Sequence, residues 1–283
     1  MFDRRSINAL IFRDTENLYR NNVVLKAAVE KSIESQKLIL EEDPVNYETC
    51  ENREGKIVVS GKRTLEASER YAKEGKRVCV LNFASATNPG GGVVHGSSAQ
   101  EESICRCSTL YPCLNTRELW FEFYAPHRLE GNPLYNDDCI FTPGVKVFKS
   151  DIDFPELLPE EAWWDVDVIT CAAPNLRQNP SNRMNPGSGN SPAEISAEEL
   201  RELHRSRIRR IFEVAIANKA EVLILGAFGC GAFCNPPELV AEVFAELTEQ
   251  YRTCFDVIEY GIYFNRYETA NYKAFHDTMG RFQ

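Results

Sequence analysis

Histidine is scarce in this 283-residue chain, with four copies, and no two of the ten cysteines stand in Cys-x-x-Cys spacing. The paired ligands of a structural zinc site are therefore missing. The cluster Cys105, Cys107 and Cys113 lacks that pairing and a clear fourth ligand, so no metal and no cofactor are expected. No stretch reaches the roughly 18–20 apolar residues of a membrane-spanning helix. The longest apolar runs, such as Val222 to Leu225, are strand-sized. Positive charge is short: 32 Lys and Arg face 42 Asp and Glu, for a net charge of −10 and a pI near 5.1. That argues against general nucleic-acid binding through a basic surface. It leaves room for a local pocket that takes one phosphate ligand. The opening Met1-Phe2-Asp3-Arg4-Arg5 has no apolar signal core. An intracellular, cytoplasmic setting without membrane attachment is expected, or the nucleus if the cell has one.

What is present suits a folded protein. Hydrophobic residues make up 43% and charged residues 26%, and the length permits one sizeable core. The cysteines are dispersed through a long chain, so buried free thiols are expected rather than a disulfide framework.

Asn17 to Lys37 has helical apolar spacing and no Gly or Pro, and Asp43-Pro44-Val45-Asn46 ends it. Residues 1–50 read as a helical extension packed on a core of residues 56–283, within one domain. From Lys56 strands and helices alternate. Ile57–Val59 and Val78–Phe83 are strands, and Thr64 opens a helix that runs through Lys73. A short helix covers Gln100 to Thr109. Cys139–Phe141 and Val145–Phe148 flank Thr142-Pro143-Gly144 as a hairpin. Val166–Cys171 is a strand, and the polar Asn175–Ser196 stretch reads as a mobile surface loop. Ser196…Glu199 is a capping box for a helix to about Asn218. Val222–Leu225 is a strand, Pro237–Tyr251 a helix, Phe255–Phe264 a strand and Tyr267–Thr278 a last helix. The alternation predicts an α/β/α sandwich with a mixed, largely parallel central sheet.

Two loops directly follow apolar strands, where α/β sheets bind ligands. The first carries Asn88-Pro89-Gly90-Gly91-Gly92-Val93 and ends in Gln100-Glu101-Glu102 at a helix start. Three glycines let the backbone approach a ligand. The acids have a plainer reading: Ser98 and Glu101 stand at capping-box spacing, and acids favour helix N-termini. The second, Gly226 to Pro236, contains Gly229-Cys230-Gly231-Ala232-Phe233 and no Lys or Arg. A diphosphate is held in such a loop by backbone N–H groups. It is neither a P-loop nor Gly-x-Gly-x-x-Gly. Phe233 lies against a ligand ribose or in the core.

The triple glycine with Gln100-Glu101-Glu102, together with Gly229–Phe233, resembles the poly(ADP-ribose) glycohydrolases. It is closest to their short microbial type, a macrodomain with added helices. Val80–Ala84, Ser108–Leu114, Tyr124–Arg128 and Asp167–Asn175 are similar to the same family. The resemblance covers roughly Lys56 to the C-terminus. It implies hydrolysis of the ribose–ribose O-glycosidic bond of poly(ADP-ribose) from the chain terminus, with ADP-ribose as product ligand. By position Glu102 resembles the general acid/base, which protonates the departing oxygen and then activates water. Glu101 resembles its ribose-positioning partner. The substrate-binding set it implies is Asn88, Gly90, Gly91, Gly92, Val93 and Gln100, with Gly229, Cys230, Gly231, Ala232 and Phe233 at the diphosphate. Arg106, Arg117 and Arg128 are candidates for local contacts to a polyanion.

Two other readings stand beside it: a module that binds ADP-ribose without cleaving it, and a hydrolase of another ADP-ribosyl linkage, on protein or base. An intact Glu101–Glu102 pair speaks against the first. The second would use the same diphosphate cradle.

Overall fold

The computed structural model describes residues 3–48, 50 and 52–282. Met1 and Phe2 of the opening string, Thr49 in the 1–50 extension and Gln283 at the end of the core lie outside the described residues. Two helices open the chain, α1 (Arg4–Asn21) and α2 (Val23–Ser35), then β1 (Lys37–Ile39) and β2 (Lys56–Ser60). Next come α3 (Thr64–Lys73), β3 (Val78–Phe83) and α4 (Gln100–Cys107). The short helices α5 (Leu110–Leu114), α6 (Arg117–Leu119) and α7 (Ala125–Glu130) lead to β4 (Cys139–Val147) and β5 (Trp164–Cys171). The chain ends with α8 (Ala197–Ala217), β6 (Val222–Leu225), α9 (Pro237–Tyr251), β7 (Val257–Gly261) and α10 (Ala270–Met279).

The seven strands form one sheet in the order β1-β4-β5-β3-β6-β7-β2. β5, β3, β6, β7 and β2 are mutually parallel, while β1 and β4 pair antiparallel. This is the expected mixed, largely parallel sheet. Residue parity divides the core. Cys79, Leu81, Leu223 and Leu225 face α8, α9 and α10 in one buried cluster. Val78, Val80, Val222 and Ile224 face α3 and α4 in another. Alternate residues of a strand point to opposite faces, so apolar runs such as Val78–Leu81 serve both layers.

Several expectations need correction. The Asn17–Lys37 helix is two helices. The Asn22 side chain accepts from the amides of Val24 and Leu25 and starts α2 afresh. An asparagine that bonds to nearby backbone competes with helix continuation. Residues 139–148 form no hairpin. Residues 139–147 are one strand with an irregularity between Thr142 and Val145, and Phe148 lies beyond its end. Gly144 takes φ +65°, and its amide donates to Asp167 Oδ1 at 3.0 Å, so the chain bulges and continues. One disulfide, Cys50–Cys254, is present, and the other eight cysteines are free, six of them buried. Its partners are 204 residues apart, and only the parallel pairing of β2 with β7 brings their segments together. The polar 175–196 segment is not a loose loop: Asn175, Pro180, Asn185 and Ser188 are buried in it.

Candidate active site

The carboxyl ends of five parallel strands meet at one edge of the sheet. The loops after β3, β5, β6 and β7 and the start of α3 gather there, as the topology requires. Two cavities open in this face. The first, about 410 Å³, lies between Arg63, Gln100, Gly229, Gly231 and Tyr263. The second, about 470 Å³, holds Glu101, Glu102, Gly91, Arg5, Asn8 and Arg177. Phe83, Ser98, Ala99, Ala232 and Phe233 line both, so the cavities adjoin across Phe233.

Glu101 and Glu102 stand in the first turn of α4, and both are buried. The capping box is not made: the N-cap is Ala99, with no side-chain cap. Glu101 instead accepts from the Ser85 amide at 2.8 Å and from Asn82 Nδ2 at 3.3 Å. Glu102 Oε1 accepts from the Gly92 amide at 2.8 Å, and Glu102 Oε2 is buried with no partner among the described residues. Gly91 has φ +58°, and a Cβ there would lie 2.6 Å from Glu102 Oε1 and 3.0 Å from Glu101 Oε2. Only glycine brings the backbone this close to both acids.

Burial holds both carboxyl groups above the usual range. For Glu101 the neighbouring charge of Glu102 adds to burial, against the donors Ser85, Asn82 and Gly90. For Glu102 burial outweighs the Gly92 amide and the Arg106 guanidinium. The two titrate as a pair, and ionisation of one holds back the other. Of the four oxygens of the pair, Glu102 Oε2 alone accepts from no donor among the described residues.

The second glycine loop is fixed from behind. His204 of α8 donates from Nε2 to Asn235 Oδ1 at 2.9 Å. Asn235 Nδ2 donates to the carbonyls of Pro174 at 2.7 Å and Gly229 at 3.0 Å. Burial pushes the His204 pKa down to about 4, so the ring is neutral.

The sequence of residues 11–150 matches the family described as "Microbial-type PARG, catalytic domain", PARG being poly(ADP-ribose) glycohydrolase. Solved structures extend the likeness to nearly the whole chain. The poly(ADP-ribose) glycohydrolase of Thermomonospora curvata is 28% identical, covers 97% of this chain and 100% of its own, and superposes with a TM-score of 0.80. That of Deinococcus radiodurans in complex with ADP-ribose is 30% identical over 89% of this chain and 97% of its own, with a TM-score of 0.75. The chain belongs to the microbial-type poly(ADP-ribose) glycohydrolases. The Thermomonospora curvata enzyme has also been solved with the inhibitor ADP-HPD, with a TM-score of 0.79 to this chain. A search of curated proteins gave no match.

Within this glycohydrolase the residues singled out in the sequence divide into two groups. Glu101, Glu102 and Gly91 line the second cavity, Gln100, Gly229 and Gly231 the first, and Ala232 and Phe233 both. Asn88, Gly90, Gly92, Val93 and Cys230 line neither. Val93 is completely buried in the core, and Gly92 acts through its amide on Glu102. Asn88 is held by Arg128 Nη2 at 3.2 Å and by the Gly91 carbonyl, so it shapes the glycine turn. Gln100 donates to Thr64 Oγ1 and the Leu81 carbonyl and accepts from the Phe83 amide, which ties α4 to α3 and β3. Arg106 is buried behind the site and donates to the Ser97 carbonyl. Arg117 lies over the Phe121 ring, away from both cavities.

Sequence reasoning missed the side that α1 contributes to the cavity holding Glu101 and Glu102. Arg4, Arg5 and Asn8 come from α1, and Arg177, Asn182, Met184 and Asn185 from the 176–196 segment. No motif marks Asn8. The asparagine and serine content of 175–196 was the visible signal, since buried Asn185 and Ser188 bond to one another and to Tyr135 and the catalytic loop.

Proposed function

We propose that Glu102 is the general acid/base with which this poly(ADP-ribose) glycohydrolase cuts the ribose–ribose bond, and that it acts at the chain terminus. The observation that carries the assignment is Glu102 Oε2: buried, unpartnered and in a carboxyl group whose other oxygen the Gly92 amide fixes. Its proton goes to the departing ribose oxygen as charge develops at the anomeric carbon. The carboxylate so formed takes a proton from the attacking water. Glu101, held by Ser85 and Asn82, orients the ribose hydroxyls. Gly229 to Phe233 receive the diphosphate on backbone N–H groups, with Phe233 beside the ribose. Binding of ADP-ribose and of ADP-HPD by the two bacterial relatives supports an ADP-ribose unit spanning both cavities. The anchored 176–196 segment, which covers one side of the catalytic cavity, supports terminal action.

Glu102→Gln removes the proton and little volume. It should abolish ADP-ribose release from purified poly(ADP-ribose), by about 10³-fold or more, and keep ADP-ribose affinity. Parallel loss of both would mean that Glu102 is a structural residue. Release of oligomers ahead of ADP-ribose would refute terminal action.

A further inference from the structure

The carboxylates and glycine loops leave unexplained the cations at the catalytic cavity. Arg4 and Arg5 stand in the first turn of α1, and Arg177 follows β5. In a chain of net charge −10, three arginines line the cavity that holds both acids. Arg4 is already engaged: it pairs with Asp153 at 3.5 Å and lies 4.4 Å over the Phe154 ring. Arg5 and Arg177 form no ion pair among the described residues. Asp3 does feel Arg5, but its carboxyl is held low chiefly by the Ser6 amide and only in last place by that guanidinium.

This wall is fixed in place. Gly96 of the catalytic loop packs against the Arg5 carbonyl too closely for any side chain. Asn8 Nδ2 donates to the Gly96 carbonyl at 3.2 Å, and Thr15 Oγ1 to the Arg106 carbonyl at 2.6 Å. Asn8 is 1% exposed, and its Oδ1 has no partner among the described residues. Asn8, which lines this cavity, thus carries a second buried acceptor without a donor among the described residues, on α1 rather than on the α4 of Glu102.

The substrate supplies matching groups. The bond cut joins the terminal unit to the adenosine ribose of the adjoining unit, and that ribose carries its own diphosphate at the 5′ carbon. The terminal diphosphate is matched to the Gly226–Pro236 loop, which has no Lys or Arg. The adjoining diphosphate has no such cradle, and it lies on the side of the leaving oxygen. We infer that Arg5 and Arg177, with Arg4 beside them, hold the diphosphate of the ADP-ribose unit on the leaving-group side of the bond, while Asn8 Oδ1 accepts a hydroxyl of that unit's ribose. The inference rests on Glu102 being the acid. Its consequence is specificity: two joined units fill the site, whereas a single ADP-ribosyl group on protein leaves the arginines unused.

The test is the double variant Arg5→Gln/Arg177→Gln of the full chain. KM for purified poly(ADP-ribose) should rise about tenfold. The log–log dependence of kcat/KM on salt should flatten by roughly one for each arginine removed, as when phosphate contacts are lost. ADP-ribose affinity, measured by calorimetry, should stay within twofold, and Arg5→Lys/Arg177→Lys should recover most of the KM. An equal fall in ADP-ribose affinity would place the arginines on the terminal unit and overturn the inference. Unchanged KM and salt slope would show that they do not touch substrate. If the unaltered chain released no ADP-ribose, the glycohydrolase reading itself would fall. A normal parent with an indifferent variant sinks this inference alone.

Discussion

The Gly92 amide donates to one oxygen of Glu102 at 2.8 Å, and the other oxygen of that carboxyl group is buried without a partner. An arrangement that serves proton transfer is poor for stability, because an ionised carboxylate is left desolvated with one oxygen lacking a donor. The folded-state pKa is raised, chiefly by burial. The group therefore favours folding below the ordinary carboxylate pKa, and that contribution is lost as pH rises through the raised value. Glu102→Gln removes the ionisable group and keeps an acceptor for Gly92. It should melt above the parent at pH 7–8, by about 2–4 °C per kcal/mol of relief, and the gap should close toward pH 4. Thermal melts across pH check this. A variant that melts below the parent at every pH would mean that the carboxylate is stabilising.

Two glycines of the second loop should respond in opposite ways. A Cβ on Gly231 meets nothing within 4 Å, and the residue lines the first cavity. Gly231→Val should leave stability within about 1 kcal/mol while the side chain intrudes on the ligand, and ADP-ribose affinity should drop by about tenfold or more. Gly229 has φ +76°, and a Cβ there would lie 2.5 Å from Ala173 Cβ and 2.6 Å from Asn235 Nδ2. Gly229→Ala should cost about 2–4 kcal/mol of stability from backbone strain and overpacking. Urea unfolding beside calorimetry separates the two outcomes. Equal affinity in Gly231→Val and the parent would move the diphosphate elsewhere.

Asn185 joins the 176–196 segment to the catalytic loop. Its Oδ1 accepts from Ser85 Oγ at 2.5 Å and Thr87 Oγ1 at 3.2 Å, and its Nδ2 donates to Tyr135 OH at 3.1 Å. The Ser85 amide in turn holds Glu101. Asn185→Ala leaves several buried groups without partners, at about 1–3 kcal/mol. It should speed amide exchange across 176–196 and lower kcat/KM roughly tenfold through misplacement of Glu101. Exchange confined to residue 185 and its neighbours, with turnover intact, would show that the segment does not support the site.

The sheet, the helices that flank it and both glycine loops were legible because their signals are local. Val78–Phe83 and Val222–Leu225 are apolar runs of strand length, and each loop follows directly. Glu101 and Glu102 were legible through the family resemblance carried by the three glycines and Gln100-Glu101-Glu102, since on local grounds alone they read as acids at a helix start. What stayed hidden depends on contacts distant in sequence. Asn8 reaches the cavity because α1 docks on Gly96, 88 residues away. The bulge in β4 depends on Asp167, 23 residues on. The 175–196 stretch has the composition of a solvated loop, and its asparagines are buried only because Tyr135, Ser85 and Thr87 supply partners. Polar residues report their environment poorly in sequence, since the same side chain satisfies itself in water or in a network.

His204 makes the case for a polar residue that acts only from behind the site. Its Nε2–H holds Asn235, and Asn235 holds the carbonyls of Gly229 and Pro174 that shape the diphosphate loop. The ring is buried and its pKa lies at about 4, against 6.5 in an unfolded chain, mainly because burial disfavours the charged form. With the folded value depressed, the unfolded chain binds the proton more tightly. Stability is fully present above pH 6.5 and lost as pH falls from 6.5 toward 4, by roughly 3 kcal/mol from this residue. His204→Gln keeps an amide donor for Asn235 and cannot titrate. Urea unfolding between pH 4 and 7 should show a steeper decline for the parent than for the variant, with ADP-ribose affinity in the variant within about threefold of the parent at pH 7. Parallel declines would show that the acid sensitivity lies in the carboxylates instead. A large affinity loss with normal stability would show that the ring, not the amide bond it makes, sets the shape of the loop.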